Sequence, residues 1–395
     1  MGMILAGFEA EEVKEGLAVL LVPKLETYRQ SPNEYVPSRA PVFYNPLMKE
    51  NRDLAVAYLR QIRRESGGGI LFGEPLTGTG VRGIRAVLEA GVEHAWINDI
   101  SKEATAVAAM NVRKNRIVKL VTVENRDANI FSIEHSSCFN YLDLDPFGSP
   151  SPFLESSIRA VKDGGTIAVT ATDMATLCGV YPDKAAARYG GRSIRTVFPK
   201  EFAARLLIYA IVAAAARMGC GAKPLLSYAS RHYVRTYCRL ERGSKKAVKA
   251  ISEIGHLLYC KWCFFRIGFS IADFKKNAGI GIGCPVCGKR MDMGGPIWLG
   301  KHSETSLVQS IIAQTEEGLL DLRTRKMLRV LSLEDTGILG SYPLSKISQY
   351  CHRSPPRRQV LLRKLEEAGL EACESALEEN AIKTRADIGQ ISEFL

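Results

Sequence analysis

Residues 78–83 read Gly78-Thr79-Gly80-Val81-Arg82-Gly83, a GxGxxG loop between a predicted strand, Ile70–Pro75, and a predicted helix, Val81–Glu89. Glycines in such a loop let the backbone approach a ligand closely at the helix N-terminus. Asp99 follows roughly 20 residues later, at the end of the next predicted strand, where a carboxylate can bind both hydroxyls of a ribose. The loop therefore predicts a nucleoside cofactor. By itself it fits a dinucleotide as well as S-adenosylmethionine.

Short apolar runs alternate with helical patterns from Gly69 to about Arg242. The further predicted strands are Ala95–Ile100, Val118–Val123, Phe139–Leu144, Thr166–Thr172, Pro224–Ser230 and Tyr233–Leu240, and the further predicted helices are Ser101–Lys114, Ser151–Val161 and Phe198–Met218. This succession predicts an α/β fold with a doubly wound, Rossmann-like sheet. The closing strand pair is the usual end of a methyltransferase sheet, although dehydrogenases can also add edge strands.

Two acidic positions near the loop favour S-adenosylmethionine. Glu74 ends the first predicted strand, where methyltransferases often keep a carboxylate near the methionine ammonium. Asp127-Ala128 follows the third predicted strand, where an acid can meet the adenine amino group.

The motif Asp145-Pro146-Phe147 decides between the cofactors, because it ends the fourth predicted strand at the edge where ligands bind in such sheets. The exocyclic amine of a nucleobase is a poor nucleophile, since its lone pair is delocalised into the ring. Asp145 can accept one amine N–H and later the proton. The Pro146 carbonyl can accept the other N–H, and Phe147 can stack on the base. A structural Asp-Pro turn is the alternative, but a dehydrogenase has no use for this constellation after a GxGxxG unit. The base must leave any stack to reach such a site.

Composition and charge indicate a globular protein with a polyanionic partner. The 395 residues suggest two domains, and the formal net charge is +11. The N-terminus lacks a basic stretch followed by an apolar run, and no apolar segment reads as a membrane span, so we expect a cytoplasmic protein without membrane contact. No obligate protein partner is evident, and we expect a monomer.

A basic window from Ala186 to Lys249 indicates RNA binding. It holds fourteen Lys or Arg against Glu201 and Glu241, with five tyrosines between them, Tyr189, Tyr209, Tyr228, Tyr233 and Tyr237. For any single residue, a solvated arginine or a core tyrosine is the better interpretation. A second basic cluster comprises Arg353, Arg357, Arg358, Arg363 and Lys364.

The polar segment Arg242–Lys249 predicts a hinge, with a first domain at 1–243 and a second, smaller α+β domain at 244–395. Helices at Leu344–Cys351 and Arg357–Ala368 would fit a winged-helix-like arrangement. Two CxxC pairs, Cys260/Cys263 and Cys284/Cys287, can supply four thiolates to a structural Zn²⁺ in a zinc-ribbon-like insertion. Two unrelated CxxC pairs, or a redox pair, are the alternatives.

Longer blocks resemble the tRNA guanine-26 N2-dimethyltransferases in their archaeal-like form. The similarity runs almost end to end and includes Val42–Pro46 (VFYNP), Asn51–Asp53 (NRD), Thr79–Arg85 (TGVRGIR), Asn98–Ser101 (NDIS), Asp143–Pro150 (DLDPFGSP), Thr170–Asp173 (TATD), Gly295–Gly300 (GPIWLG) and Ile382–Thr384 (IKT). The family implies a class I S-adenosylmethionine-dependent methyltransferase domain, followed by a C-terminal domain that helps to hold tRNA. It also implies that Arg52, Arg82, Asp99, Asp127 and Ala128 line the cofactor site and that Asp145 is catalytic. Glu74 stands where the family usually has Asp, and Asn380-Ala381 replaces a more usual Thr-Gly.

Other functions compete with dimethylation of guanine 26. The same chemistry could act on another guanine, such as position 27, or on another RNA, and a similar acid-proline-aromatic motif serves amino methylation of adenine. An RNA-binding zinc protein with an inactive methyltransferase fold would not need Asp145, Asp99 and the glycine loop intact.

Overall fold

The computed structural model describes residues 3–5, 7–31, 34–270, 273, 283–315 and 318–395. Within these ranges no helix is long and apolar enough to cross a membrane. The chain divides into two compact units. The first comprises Met1–Asp145, Glu155–Ala168 and Ser310–Arg325, and the second comprises Pro146–Leu154, Val169–Gln309 and Lys326–Leu395.

The strands and helices are numbered in chain order. The strands are β1 Met3–Leu5, β2 Phe8–Glu15, β3 Ala18–Pro23, β4 Arg29–Ser31, β5 Glu34–Tyr35, β6 Leu71–Glu74, β7 His94–Asn98, β8 Val121–Glu124, β9 Phe139–Leu144, β10 Val161–Ala171, β11 Cys220–Ser230, β12 Tyr233–Arg242, β13 Ile254–Tyr259, β14 Arg266–Ser270, β15 Asp292–Trp298, β16 Tyr342–Pro343, β17 Ala372–Glu374 and β18 Ala381–Thr384. The helices are α1 Lys49–Ser66, α2 Val81–Ala90, α3 Lys102–Lys114, α4 Ala128–Glu134, α5 Leu154–Ala160, α6 Met174–Leu177, α7 Pro182–Tyr189, α8 Pro199–Arg217, α9 Ser244–Ser252, α10 Thr305–Gln314, α11 Leu322–Leu331, α12 Leu344–Cys351, α13 Arg358–Glu367 and α14 Ile388–Ser392.

A seven-stranded sheet in the order β8-β7-β6-β9-β10-β12-β11 confirms the predicted α/β fold. Strand β6 pairs in parallel with β7 and β9, and β7 pairs in parallel with β8, whereas β11 and β12 are antiparallel. Counted from β6, the order is third, second, first, fourth, fifth, seventh, sixth. In a dinucleotide-binding sheet the sixth strand lies directly beside the fifth strand. The seventh strand lies between the fifth and sixth strands, as in class I methyltransferases.

Two helices begin directly after parallel strands, and polar residues of the connecting loops cap them. Ser101 Oγ accepts a hydrogen bond from Ala104 N at 3.1 Å at the start of α3. Asp127 caps α4, because its Oδ1 accepts from Asn129 N at 2.9 Å and from Ile130 N at 3.3 Å. Side-chain oxygens satisfy free amides at a helix start in this way. The caps fix the loops at the carboxyl edge of the sheet, where the sequence places its cofactor residues.

The hairpin of β2 and β3 is held to α3 by two asparagine side chains. Asn111 accepts from Leu21 N at 2.6 Å and donates to Leu21 O at 3.1 Å. Asn115 pairs in the same way with Val19, at 2.9 and 2.7 Å. Each amide thus bonds β3 as a neighbouring strand would. Asn111 also donates to Thr79 O at 2.9 Å, so the hairpin supports the glycine loop.

The structure places a helix in the segment predicted as a hinge, and it confirms the core interpretation for most single tyrosines of the basic window. The basic segment predicted as a hinge contains helix α9, because Lys246 N and Ala247 N both bond Gly243 O at 3.0 Å and the buried Ala247 anchors the helix. In the basic window, Tyr189, Tyr228, Tyr233 and Tyr237 are at most 3% exposed. These four rings belong to the core and cannot stack on RNA.

The second unit contains the smaller α+β elements expected toward the C-terminus. A sheet in the order β14-β13-β15 carries the cysteine pairs, and a second sheet, β16-β18-β17, accompanies helices α12 and α13. Helix α12 coincides with its predicted bounds, and α13 is one residue shorter at each end.

Five fully or almost fully buried ionisable side chains meet at helix α8. Glu201 pairs with Arg205 Nε at 2.8 Å and with Lys383 Nζ at 3.1 Å, and Lys383 also reaches Glu334 Oε1 at 2.8 Å. His302 Nε2 lies 3.3 Å from the same Glu334 oxygen. Arg205 donates to the Gly300 carbonyl at 2.9 Å. Removing one member would leave a buried charge without compensation, which typically costs about 3–5 kcal/mol.

Candidate active site and metal centre

The glycine loop and the end of β7 are joined by main-chain and carboxylate contacts. Gly78 N donates to Asp99 Oδ2 at 2.9 Å, and Ser101 N donates to Asp99 Oδ1 at 3.0 Å. Thr77 N bonds Asn98 O at 2.8 Å. These bonds hold the partly exposed Asp99 carboxylate beside the loop. This position at the carboxyl ends of parallel strands suits a ribose.

Asn98 is a positioning residue that sequence reasoning did not single out. Its side chain is fully buried, donates to Pro75 O at 2.9 Å and Arg126 O at 3.1 Å, and accepts from Arg126 N at 2.9 Å. One amide therefore ties together the loops that follow β6 and β8. A polar residue that ends a buried strand is the only signal in the sequence.

Two glycines of the loop are required by geometry. Gly80 has φ +80° and is the N-cap of α2, a left-handed conformation that other residues rarely adopt. A Cβ on Gly83 would lie 2.4 Å from Ile97 Cγ2. Gly83 therefore lets α2 pack closely on β7.

Arg82 is the centre of a buried cluster with three carboxylates. Its Nη2 bonds Asp145 Oδ2, its Nε lies 3.2 Å from Asp143 Oδ1 and 3.8 Å from Glu74 Oε1, and its Nη1 donates to Asn51 Oδ1 at 2.8 Å. The structure thus brings the predicted residues Arg82, Glu74 and Asp145 together. Asp143 and Asn51 complete the cluster and were not predicted as site residues. Asp143 lies two residues before Asp145, and this alternation along a strand could have signalled it.

Glu74 has an unusual acidity in this cluster. Burial raises the pKa of its carboxyl, Arg82 offsets only part of that effect, and the nearby Asp143 raises it further, to about 8. Thr77 Oγ1 donates to Glu74 Oε2 at 2.7 Å, and Gly83 N donates to the same oxygen at 3.2 Å. Glu74 is therefore mainly protonated at neutral pH.

The Asp145-Pro146-Phe147 motif directly follows β9. The Asp145 side chain is 18% exposed, so it is held by Arg82 and still reaches solvent. Phe147 is 66% exposed, which is rare for an aromatic ring. Gly148 N donates to Thr172 Oγ1 at 2.7 Å, and Thr172 N donates to Gly148 O at 2.9 Å, which fixes the turn after Phe147.

Arg52 lies in a different buried network of the first unit. Its guanidinium donates to Glu15 Oε1 at 2.7 Å and Oε2 at 2.6 Å, and Arg85 reaches Glu15 Oε1 at 2.9 Å. Burial raises the pKa of Glu15, but Arg52 and Arg85 outweigh it and bring the pKa to about 2. Within the described residues, the Arg52 side chain forms no hydrogen bond with the Arg82 cluster. The Asp127 carboxylate caps α4 and Ala128 is buried in its first turn.

The basic window keeps an exposed set of cations. Arg205 and Arg235 are fully buried, and Arg235 Nη1 donates to Thr170 Oγ1 at 2.7 Å, so these two arginines are internal. The other Lys and Arg of the window are exposed or partly exposed. Four of them form ion pairs: Arg188 with Asp173, Arg192 with Asp183, Lys223 with Glu304 and Lys246 with Glu241. The window is therefore a positive surface that faces solvent, without stacking from the four buried tyrosines.

Cys260, Cys263, Cys284 and Cys287 form a single cluster. Their Sγ atoms all lie within 4.8 Å of one another, with 3.5 Å between Cys260 and Cys287 and 3.4 Å between Cys263 and Cys284. Four sulfurs bound to one Zn²⁺ at about 2.3 Å would lie about 3.8 Å apart. The donor set and spacing therefore fit a closed, structural zinc site.

The two cysteine pairs repeat one backbone pattern. Phe264 N donates to Cys260 O, and Gly288 N donates to Cys284 O, each at 2.8 Å. Cys260 N then bonds Phe265 O at 2.8 Å, and Cys284 N bonds Lys289 O at 2.7 Å. Phe264 and Gly288 also share a positive φ, +61° and +69°. Two knuckles of the same shape thus point their sulfurs at one centre.

Comparisons with known proteins agree with this geometry. The family described as N2,N2-dimethylguanosine tRNA methyltransferase matches residues 16–395. The tRNA (guanine(26)-N(2))-dimethyltransferase of Methanothermobacter thermautotrophicus is 33% identical over 97% of this chain and 98% of its own length. The tRNA (guanine(26)-N(2)/guanine(27)-N(2))-dimethyltransferase of Aquifex aeolicus is 35% identical over 86% of this chain and 85% of its own length.

A solved structure extends the similarity to three dimensions. The complex of Trm1 from Pyrococcus horikoshii with S-adenosyl-L-methionine superposes with a TM-score of 0.81 at 28% identity, covering 97% of this chain and 99% of that one. The family matches far more than half of the chain, and the relatives match it nearly end to end. The chain belongs to the N2,N2-dimethylguanosine tRNA methyltransferase family.

Proposed function

We propose that this chain transfers one or two methyl groups from S-adenosylmethionine to the N2 amine of guanine 26 in tRNA. The observation that carries the proposal is the Asp145 carboxylate, anchored by Arg82 at the carboxyl end of β9 and still open to solvent. The two dimethyltransferases named above and the S-adenosyl-L-methionine complex support the choice of substrate and methyl donor.

The donor site consists of residues at the carboxyl ends of β6, β7 and β8. Asp99 would bind the ribose hydroxyls, Asp127 and the buried Ala128 would line the adenine, and Gly80 would admit the ligand at the start of α2. Glu74 and Arg82 would face the methionine ammonium and carboxylate. Arg52 would support this site from its network with Glu15. S-adenosylmethionine, when bound, supplies an electrophilic methyl group on a sulfonium.

Asp145 is the residue that prepares the amine. Arg82 donates to its Oδ2, which leaves Oδ1 to accept one N–H of the guanine N2 and turn the lone pair away from the ring plane. Methylation makes this nitrogen a strong acid, so the Asp145 carboxylate can take the proton. Asp143 acts through Arg82 as a positioning residue.

Pro146 and Phe147 complete the base site. Proline has no N–H, and its carbonyl accepts the second N–H of the amine. The exposed ring of Phe147 offers a face on which guanine can stack, which is worth about 1–3 kcal/mol per base. After one transfer the amine retains one N–H, which Asp145 can accept once it has released the first proton, so a second transfer is possible. The Aquifex relative is named for positions 26 and 27, so position 27 is the second candidate.

The remaining assignments follow the two expected domains. We assign residues 1–243 to the methyl-donor domain and 244–395 to the tRNA-binding domain, with one Zn²⁺ held by Cys260, Cys263, Cys284 and Cys287 as a structural ion. The protein would act as a monomer in the cytoplasm, where tRNA is available.

Asp145→Asn tests the role of the carboxylate. Asparagine keeps the shape but cannot take a proton. We expect kcat to fall about 10²- to 10⁴-fold, the usual contribution of a general base, while the Kd of S-adenosylmethionine measured by calorimetry stays within about twofold. Asp163→Asn, at an exposed carboxylate of β10, is the matched control. Near-normal transfer by Asp145→Asn would remove the proposed role.

Mass spectrometry of unmodified tRNA transcripts, incubated with the protein and S-adenosylmethionine, tests the substrate. N2-methylated guanosine should map to position 26, and modification at 27 or of adenine would identify the alternatives. Transcripts that contain no N2-methylguanosine would refute the proposal.

A further inference from the structure

The tip of the cysteine centre exposes a tryptophan. Trp262 lies between the ligands Cys260 and Cys263, and 56% of it is exposed. The other tryptophans are more protected: Trp298 is 6% exposed and Trp96 is partly buried. Val286, in the matching position of the second knuckle, is 38% exposed. A large ring left in water at a rigid position is a feature of binding surfaces.

The backbone of the knuckle holds this ring in place. The bonds from Phe264 N to Cys260 O and from Cys260 N to Phe265 O close the loop that carries Trp262. Phe264, the residue after the second cysteine, is buried. Because the loop is closed on both sides, binding at Trp262 requires little ordering of the protein.

The surface around the ring is positive. Residues 260–265 and 283–290, which we call the knuckle tip, carry Lys261, Lys289 and Arg290 and no acidic residue. All three cations are exposed. Lys289 Nζ lies 5.4 Å from the centre of the Trp262 ring, which is a cation–π arrangement. In the part of the chain that the structure describes, none of the three forms an ion pair.

We propose that the knuckle tip binds an unpaired nucleobase of the substrate RNA by stacking on Trp262, with the flanking phosphates bound by Lys261, Lys289 and Arg290. An RNA strand supplies an aromatic face and a negative charge at every nucleotide, which matches one ring among three cations. An acidic peptide would satisfy the charges but leave the indole without a partner. The inference rests on the proposed function only for the identity of the RNA.

Three variants of the full-length protein separate stacking from charge. The Kd of a fluorescently labelled tRNA transcript is measured by anisotropy as a function of salt. Trp262→Ala should raise Kd at least about fivefold, the lower end for loss of one base–aromatic stack, whereas Trp262→Phe should stay within about twofold of wild type. Lys289→Gln with Arg290→Gln should reduce the slope of log K against log salt by about 1.4 to 1.8. Leu333→Ala, which removes an exposed apolar side chain elsewhere in the second unit, is the control and should bind as wild type does.

A fluorescence measurement follows the Trp262 ring in the folded wild type, with the conservative variant Trp262→Phe as the reference. Iodide should quench the emission that the wild type has and Trp262→Phe lacks, and saturating tRNA should protect that emission. Oligouridine should compete for the site, whereas polyglutamate of equal charge should compete much less.

The outcomes distinguish the two proposals. A wild type that binds no tRNA would contradict the proposed function. A wild type that binds tRNA, together with unprotected Trp262 emission or an unchanged Kd in Trp262→Ala, would overturn the knuckle-tip site alone. Equal competition by polyglutamate would also overturn it, because binding would then need no ring.

Discussion

Glu74→Gln should abolish a loss of stability that the wild type undergoes as the pH rises. The Glu74 pKa is about 8 in the folded chain against 4.5 for an unperturbed glutamate. Between these values the folded chain holds a proton that the unfolded chain has released, so its stability falls as pH rises. The stabilisation is complete below pH 4.5 and is lost as pH passes through 8.

The size of the effect follows from the two pKa values. For a folded pKa of about 8, the contribution of Glu74 to the free energy of unfolding should drop by about 3–4 kcal/mol between pH 5 and pH 8. Glutamine has a similar shape, can still accept from Thr77 and Gly83, and does not titrate. The free energy of unfolding of the wild type should therefore fall by this amount relative to that of Glu74→Gln as the pH rises from 5 to 8.

The assay is equilibrium urea unfolding of both proteins at pH 5, 6, 7 and 8 and constant ionic strength. Groups that titrate in both proteins cancel in the difference. Glu15→Gln is the matched control, since Glu15 is equally buried but its pKa is lowered to about 2. The stability from Glu15 is present above pH 4.5 and is lost as pH falls through 2. This variant should be less stable than the wild type by about 3–4 kcal/mol, with almost no trend from pH 5 to 8. Wild type and Glu74→Gln curves that run parallel over this range would refute the protonated Glu74.

Two further predictions concern ligands. If the Glu74 carboxylate binds the ammonium of S-adenosylmethionine, binding at pH 7 should release up to about 0.9 proton, because a group with a pKa of about 8 is mostly protonated at that pH. Calorimetry in buffers of different ionisation enthalpy measures the proton release. An equal release by Glu74→Gln would contradict the assignment. Purified protein should hold about one equivalent of zinc, and a strong chelator or Cys284→Ser should lower the Tm; a metal-free sample that keeps its native Tm would exclude a structural ion.

Local sequence patterns predicted most of the fold, because apolar runs and the polar residues that flank them mark where the strands and helices begin and end. Strand β9 and helix α12 coincide with their predicted bounds. The basic window with five tyrosines shows what a local sequence pattern cannot predict. Its residues alternate along β11 and β12, and the alternation could not reveal that both faces of these strands are covered. Tyr228, Tyr233 and Tyr237 therefore lie in the core of the sheet, and Tyr189 is buried at the end of α7.

The site was predicted only in its outline, since its partners are far apart in the sequence. Arg82 and Asp145 were both named, but their contact joins α2 to β9 across 63 positions. Asn51 and Asp143 complete the cluster from α1 and β9, and no local pattern marks an asparagine in a helix as a partner of a distant arginine. Arg52 was identified only by family resemblance, because its partner Glu15 lies at the end of β2.

The buried ion network around helix α8 sets an order for synthesis on the ribosome. Glu201 and Arg205 emerge together, but Lys383, the second cation that pairs with Glu201, is encoded far later in the chain. At about 5–20 residues per second, the nascent helix would wait roughly 9–36 s for that lysine. Until then Glu201 lacks one of its two cationic partners, and burying the incomplete network would be unfavourable. The second unit can therefore complete its core only after residue 383 has left the ribosome, and a message truncated shortly before codon 383 would yield a chain that cannot complete this network.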